Sequence, residues 1–196
     1  MEKRPLLLCT DPGIDDFIAL SMVLARLEFD VLGMIALSGN VGLDVTVNNA
    51  LLACELNGRS DIPVLAGSAK PLARPARSAS NIHGKSGLGA SLELYAEGKP
   101  SDKNGADFII EMARKYTGKL EILSLGPLTD VALALEKSPE IAGAISCITI
   151  MGGGIHAGNA TKYAEFNIVA DPEAASVVFS SGVKTVMIGL DATNLC

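Results

Sequence analysis

Tryptophan is absent, aromatic residues make up 4% of the chain, and histidine occurs twice, at His83 and His156. Basic residues are also scarce: 16 Lys+Arg stand against 22 Asp+Glu, a net charge of −6. An acidic balance with so few aromatics leaves no footprint for a phosphate backbone, which excludes nucleic acid as an expected partner. No apolar run approaches the roughly 20 residues that span a bilayer, so a membrane is not expected either. The opening stretch Met1 to Cys9 imitates a lipoprotein signal, but its apolar part is too short and acidic residues follow at once. The four cysteines, Cys9, Cys54, Cys147 and Cys196, form no CxxC pair and have no histidine at ligand spacing. They read as reduced thiols acting as small hydrophobes, which points to a cytosolic, cytoplasmic protein.

What the chain does have is core. Of 196 residues 48% are hydrophobic, with 20 Gly and 9 Pro to punctuate them, which suits one globular domain over residues 1–196. Apolar runs alternate with segments of helical period. Strands are expected at Leu6–Thr10, Val31–Ala36, Pro63–Ala66, Leu120–Leu125, Ile145–Met151 and Lys184–Gly189. Helices are expected at Phe17–Leu27, Val45–Leu56, Ala106–Tyr116, Leu128–Glu136 and Pro172–Ser181. The segment Gly67–Asn104 breaks this rhythm with Pro, Ser, Gly and basic residues, the mark of a functional loop. Repeated β-α units with wholly apolar strands imply an α/β fold: a mostly parallel, open, Rossmann-like sheet with helices on both faces. Ligands in such sheets bind outside the carboxyl ends of the strands.

The polar residues collect at those ends. The first strand runs into Asp11-Pro12-Gly13-Ile14-Asp15-Asp16 and the second into Ser38-Gly39-Asn40. Three carboxylates within six residues repel one another unless a proton or a cation neutralises them. Oxygen-only ligands on a turn favour Ca²⁺ or Mg²⁺ over zinc. Asp15 and Asp16 also suit the first turn of a helix, so metal site and helix capping both remain open for them. Asp11, ahead of a Pro-Gly turn, does not fit the capping explanation. A second cluster follows the fifth strand: Met151-Gly152-Gly153-Gly154, Gly158-Asn159 and Ala164-Glu165-Phe166-Asn167. It lacks the Lys-Ser/Thr ending of a P-loop and the GxGxxG of a dinucleotide fold. In an extended segment Glu165 and Asn167 point the same way, which suits adjacent hydroxyls.

Taken in order, Thr10 to Asp16, His83-Gly84, Leu125 to Thr129, Met151 to Gly154, Gly158-Asn159, Ala164 to Asn167, Asp171 to Ala175 and Gly189 to Asp191 resemble the inosine–uridine-preferring nucleoside hydrolases. The resemblance covers essentially the whole chain. It implies hydrolysis of a ribonucleoside to base and ribose with a tightly held Ca²⁺, by a homo-oligomer such as a dimer or tetramer. Asp11 is then the general base towards the attacking water. Asp11, Asp16 and the backbone carbonyl of Leu125 ligate the metal. Asp15, Asn40, Asn159, Glu165 and Asn167 hold ribose hydroxyls, Met151 lines that pocket, and His83 lies near the base.

Two departures from the family pattern matter. The usual opening is Asp-x-Asp-Pro-Gly, whereas Cys9 stands at the first acidic position here. The family also continues beyond the equivalent of Cys196, with a His that serves as leaving-group acid and an Asp that completes the metal site. The expectation is therefore an incomplete domain that binds metal weakly and turns over poorly. The alternative is a vestigial ribose-binding module without chemistry.

Overall fold

A computed structural model describes residues 2–89 and 94–195; Cys196, read above as a reduced thiol, lies outside them. In chain order the elements are β1 (Arg4–Thr10), α1 (Ile14–Leu24), β2 (Phe29–Ala36), α2 (Leu43–Leu56), β3 (Val64–Ala66) and α3 (Ser80–His83). They continue with α4 (Gly105–Lys115), β4 (Leu120–Ser124), α5 (Thr129–Lys137), a 3₁₀ turn (Pro139–Gly143) and β5 (Ile145–Met151). α6 (Phe166–Ala170), α7 (Pro172–Ser180), β6 (Thr185–Ile188) and α8 (Leu190–Thr193) complete the series. The six strands form one sheet in the order β3-β2-β1-β4-β5-β6, every neighbouring pair parallel.

The strands are apolar on both sides because both sides are covered, as parallel sheets require. Along β1, Leu6 and Leu8 face one core with Leu20 and Leu24 of α1 and Val47, Ala50 and Ala53 of α2. Leu7 and Cys9 face the other, with Phe108 and Ile109 of α4, Val131 and Leu135 of α5 and Val178 of α7. The period of two in the strand thus feeds two helical layers. Leu7 and Leu8 are fully buried, and truncating either to alanine costs about 2–5 kcal/mol.

Chain order places the site. The chain winds outward from β1 through β2 to β3, then returns to the other side of β1 for β4, so β1 and β4 flank the topological switch point. The amide of Leu37 donates to the carbonyl of Thr10 and the amide of Leu125 to that of Cys9, each at 2.8 Å. Those two bonds align the carboxyl ends of β2 and β4 beside that of β1.

The expected α/β sheet is therefore present, with local differences. The first helix spans Ile14–Leu24 rather than Phe17–Leu27, because Gly13 is its N-cap and Asp16 reaches back to the Gly13 amide. Glu165 and Asn167 do not lie in an extended segment: Glu165 caps α6 and Asn167 sits in its first turn. Cys9, Cys54 and Cys147 are free thiols. Among the described residues no helix is long and apolar enough to cross a membrane.

Candidate active site

Asp11 leaves the end of β1 with no solvent exposure. Its Oδ2 accepts the Asn40 backbone N–H at 2.7 Å. Its Oδ1 has no hydrogen-bond partner among the described residues. The carboxylate is wedged between two loop glycines. A Cβ on Gly39 would stand 2.0 Å from Oδ2, and one on Gly126 would stand 2.3 Å from Oδ1. Only residues without a side chain admit an acid here.

Asp16 faces the same point from the first turn of α1. Its Oδ1 accepts from the Thr10 hydroxyl at 3.0 Å, and its Oδ2 accepts from the Gly13 amide and the Asn40 side-chain amide, both at 3.0 Å. Asn40 thus joins the two acids, since its side-chain amide also donates to the Asp11 carbonyl at 3.0 Å. Thr10 opens the first motif of the family resemblance, Thr10 to Asp16, but the sequence assigns its hydroxyl no role. A hydroxyl at a strand end next to an acidic turn is the only signal that could have found it.

Burial dominates the electrostatics. It pushes the Asp11 carboxyl well above its usual range, with the neighbouring Asp16 charge adding to the effect and the Asn40 amide opposing it. Burial likewise raises Asp16 to about 6, against the Gly13 and Thr10 hydrogen bonds. A carboxyl whose folded value is raised contributes stability below its unfolded value near 4 and loses it as pH rises through the folded value. The cation-free protein is therefore expected to lose several degrees of Tm between about pH 4 and pH 6.5. A cation bound between the two acids should flatten that decline, because it would take the proton's place. Melting curves in chelator and in Ca²⁺ across this range test it, and an identical slope in both would refute it.

The third acid behaves differently. The Asp15 side chain is 83% exposed and points to solvent, 3.9 Å from His83 Nδ1. Of the three clustered carboxylates two face inward, with Asp15 at the rim: one turn of helix cannot aim consecutive residues at the same point. His83, at the end of α3, lies over this N-terminus and its Nδ1 accepts the Ile14 amide at 3.3 Å. Such a bond leaves the ring proton on Nε2, free to donate outward. Gly13 permits the approach, since a Cβ there would be 2.7 Å from His83 Nδ1. Asn49 of α2, unforeseen in the sequence, ties the two loops together by donating to the carbonyls of Pro12 (3.1 Å) and Ser86 (2.9 Å).

The second cluster meets the first at β4. The buried Asn167 side chain donates to the carbonyls of Leu125 (2.7 Å) and Met151 (3.0 Å), bridging the ends of β4 and β5. Glu165 is almost fully buried, and its carboxylate accepts three backbone amides, those of Asn167, Gly153 and Ile168. That makes it first of all the post on which the glycine loop hangs. Asn159 is exposed and accepts the Phe166 amide at 2.8 Å. Met151 is half-buried at the end of β5. Asp191, at the start of α8, accepts the amides of Ile155 and His156 and pairs with His156 Nδ1 at 2.6 Å. The Ile155 amide and the His156 ring hold its carboxyl down at about 2.

The donor set around Asp11 fits a hard cation in kind: two carboxylates, one of them with an orphaned oxygen among the described residues. It is incomplete in number. No group of three or more His, Cys, Asp or Glu side chains converges on a metal position among the described residues, whereas Ca²⁺ takes six to eight oxygens.

A comparison of the sequence with protein families finds that residues 6–196 match the inosine-uridine preferring nucleoside hydrolases. The chain belongs to that family. It is 42% identical over 194 residues to uridine nucleosidase 1 of Arabidopsis thaliana, a match that covers 98% of this chain and 58% of the relative. It is 42% identical over 192 residues to a pyrimidine-specific ribonucleoside hydrolase of a Shewanella strain, covering 98% of this chain and 60% of that one. Among solved structures, a plant nucleoside hydrolase superposes with a TM-score of 0.92 at 36% identity, covering 96% of this chain and 60% of the other. A purine-preferring ribonucleoside hydrolase from Gardnerella vaginalis superposes at 0.91 with 35% identity, covering 96% and 61%. The chain thus spans about three fifths of the length of these nucleoside hydrolases.

Proposed function

We propose that the protein hydrolyses the N-glycosidic bond of ribonucleosides, releasing base and ribose, with Ca²⁺ at the carboxyl edge of β1 and Asp11 as general base. The observation that carries this reading is Asp11 itself: a fully buried carboxylate with one oxygen unpartnered among the described residues, at the switch point of a nucleoside hydrolase fold. Burying an acid without a counter-charge is costly, so such a group is kept for chemistry or for a cation. Asp11, Asp16 and the Leu125 carbonyl would hold the ion. Bound there, Ca²⁺ supplies Lewis-acid chemistry that makes water more acidic and orients sugar hydroxyls.

The remaining steps belong to the chain. Asp11 takes the proton of the attacking water at the carboxylate. The adjacent acids favour positive charge developing on the ribosyl ring, as in other glycoside hydrolysis. Asp15, Asn40, Asn159, Glu165 and Asn167 bind ribose hydroxyls, with Met151 against the ring. Glu165 does so with the lone pairs its three amides leave free, since a carboxylate offers about four acceptor positions. His83 stands on the base side. The free thiols, Cys9 and Cys54 buried and Cys147 partly so, suit a reducing, cytoplasmic setting, and we propose a homo-oligomer, dimer or tetramer, of one nucleoside hydrolase unit per chain.

Incubation with inosine and with uridine, followed by chromatography of the free base, is expected to show release that chelator removes and Ca²⁺ restores. Equilibrium binding of ribose is measured alongside it. Ribose binding without release of either base would replace this reading with a binding module.

A further inference from the structure

Like Asp11, Asp130 is a buried acid with an oxygen that has no hydrogen-bond partner among the described residues, and nothing in the proposed chemistry uses it. It sits in the first turn of α5, is 1% exposed, and lies on the sheet face that carries Cys9 and Ile35. Its Oδ2 accepts the Ser68 backbone N–H at 2.8 Å. Its Oδ1 has no partner among the described residues. Two glycines make room for it, as two others do for Asp11. A Cβ on Gly67 would lie 2.8 Å from Oδ2, and one on Gly105 would lie 2.8 Å from Oδ1.

The span of this contact is what gives it consequence. Ser68 follows β3 and Asp130 follows β4, and in the sheet β2 and β1 lie between those strands. The Asp130 side chain therefore ties together loops on either side of the two strands that end in Asp11 and Asn40. From Ser68 the connection runs directly to the site. The Ser68 carbonyl accepts the Ser38 amide at 3.1 Å, and the Gly67 amide donates to the Ala36 carbonyl at 2.8 Å. Two residues beyond Ser38, the Asn40 amide donates to Asp11 Oδ2.

We infer that Asp130 is a positioning residue, which through Ser68 holds the Ser38–Asn40 loop in place so that Asn40 meets Asp11. This deepens the proposed function and rests on it for its catalytic meaning only. Burial favours the uncharged acid at Asp130, so an amide of the same shape should serve nearly as well.

Amide hydrogen exchange on the cation-free chain tests the inference without recourse to turnover. Asp130→Ala, and Asp130→Leu should alanine fail to fold, are expected to speed exchange at Asn40 about tenfold relative to the core amides of Leu7 and Leu8, the size of one lost hydrogen bond. Asp130→Asn is expected to restore the wild-type rate. Ca²⁺ affinity by calorimetry should fall in the same variants and recover in asparagine. An Asn40 amide that exchanges no faster, or one that merely follows the core amides, would overturn the inference, because a purely structural acid lowers all protection together. A wild-type chain that binds no Ca²⁺ would count against the proposed function alone, and the exchange pattern would still decide the role of Asp130.

Discussion

Replacing Asp11 with alanine is expected to lower base release from inosine and uridine about 1,000-fold or more. The substitution removes the proton acceptor, worth on the order of 10²–10⁴ by itself, and a carboxylate oxygen that has no hydrogen-bond partner among the described residues. Asp11→Asn should be nearly as inactive, although it keeps the volume and one oxygen, because it can neither accept the proton nor offset a cation's charge. Stability should move the other way. Removing an acid whose carboxyl burial pushes upward relieves a penalty, so both variants are expected to melt no lower than wild type at pH 7 in chelator. Loss of activity together with a retained or raised Tm would separate a functional acid from a structural one. Substantial remaining turnover would take Asp11 out of the base role.

Adding one methyl group on either side of that acid should be almost as damaging. Gly39→Ala and Gly126→Ala each place a Cβ within 2.3 Å of an Asp11 carboxylate oxygen. Neither glycine has a positive φ, so the backbone tolerates alanine and the entire effect is steric. The acid cannot swing aside into solvent, since it is fully buried and held by the Asn40 amide. It must shift by an ångström or so, and displacements of that size cost about 100-fold in rate when they misplace a reacting group. Each variant should lose about 100-fold in base release and bind Ca²⁺ more weakly, measured by steady-state assay and calorimetry. Gly143→Ala, where a Cβ meets nothing within 4 Å, is the control and should leave both quantities unchanged.

These expectations show where the sequence was legible. The alternation of apolar runs with helical segments gave the parallel sheet, because strands covered on both faces must be apolar throughout. The rule that ligands sit at strand carboxyl ends then pointed to Asp11, Asn40 and the β4 and β5 loops. What could not be read was direction. Asp15 and Asp16 are adjacent and chemically identical, yet one is buried on Thr10 and Asn40 and the other is exposed at the rim. Only the exact start of α1 decides between them, and helix starts are the least certain part of a periodicity argument. Glu165 misled for a related reason. The amide of Gly153 that helps bind it is twelve residues away, and no local pattern announces that pairing. Asp130 stands with the polar residues at the end of β4, but its role is not legible there because its partner, Ser68, is 62 residues distant, within a segment that reads only as loop.

Cys9 illustrates the converse. Its departure from the family's opening pattern is plain in the sequence, and the fold shows what the thiol does: it is fully buried between β2 and β4, on the core face, where burial keeps it un-ionised. It packs as a hydrophobe and takes no place beside Asp11.

The proposed function needs two buried acids at the end of β1 to share a cation. A crystal structure of the protein equilibrated with Ca²⁺ at pH 7 examines it directly. One ion is expected in contact with Asp11 Oδ1, the Asp16 carboxylate and the Leu125 carbonyl. An Asp11 oxygen still without a partner, with Ca²⁺ bound elsewhere or not at all, would contradict it.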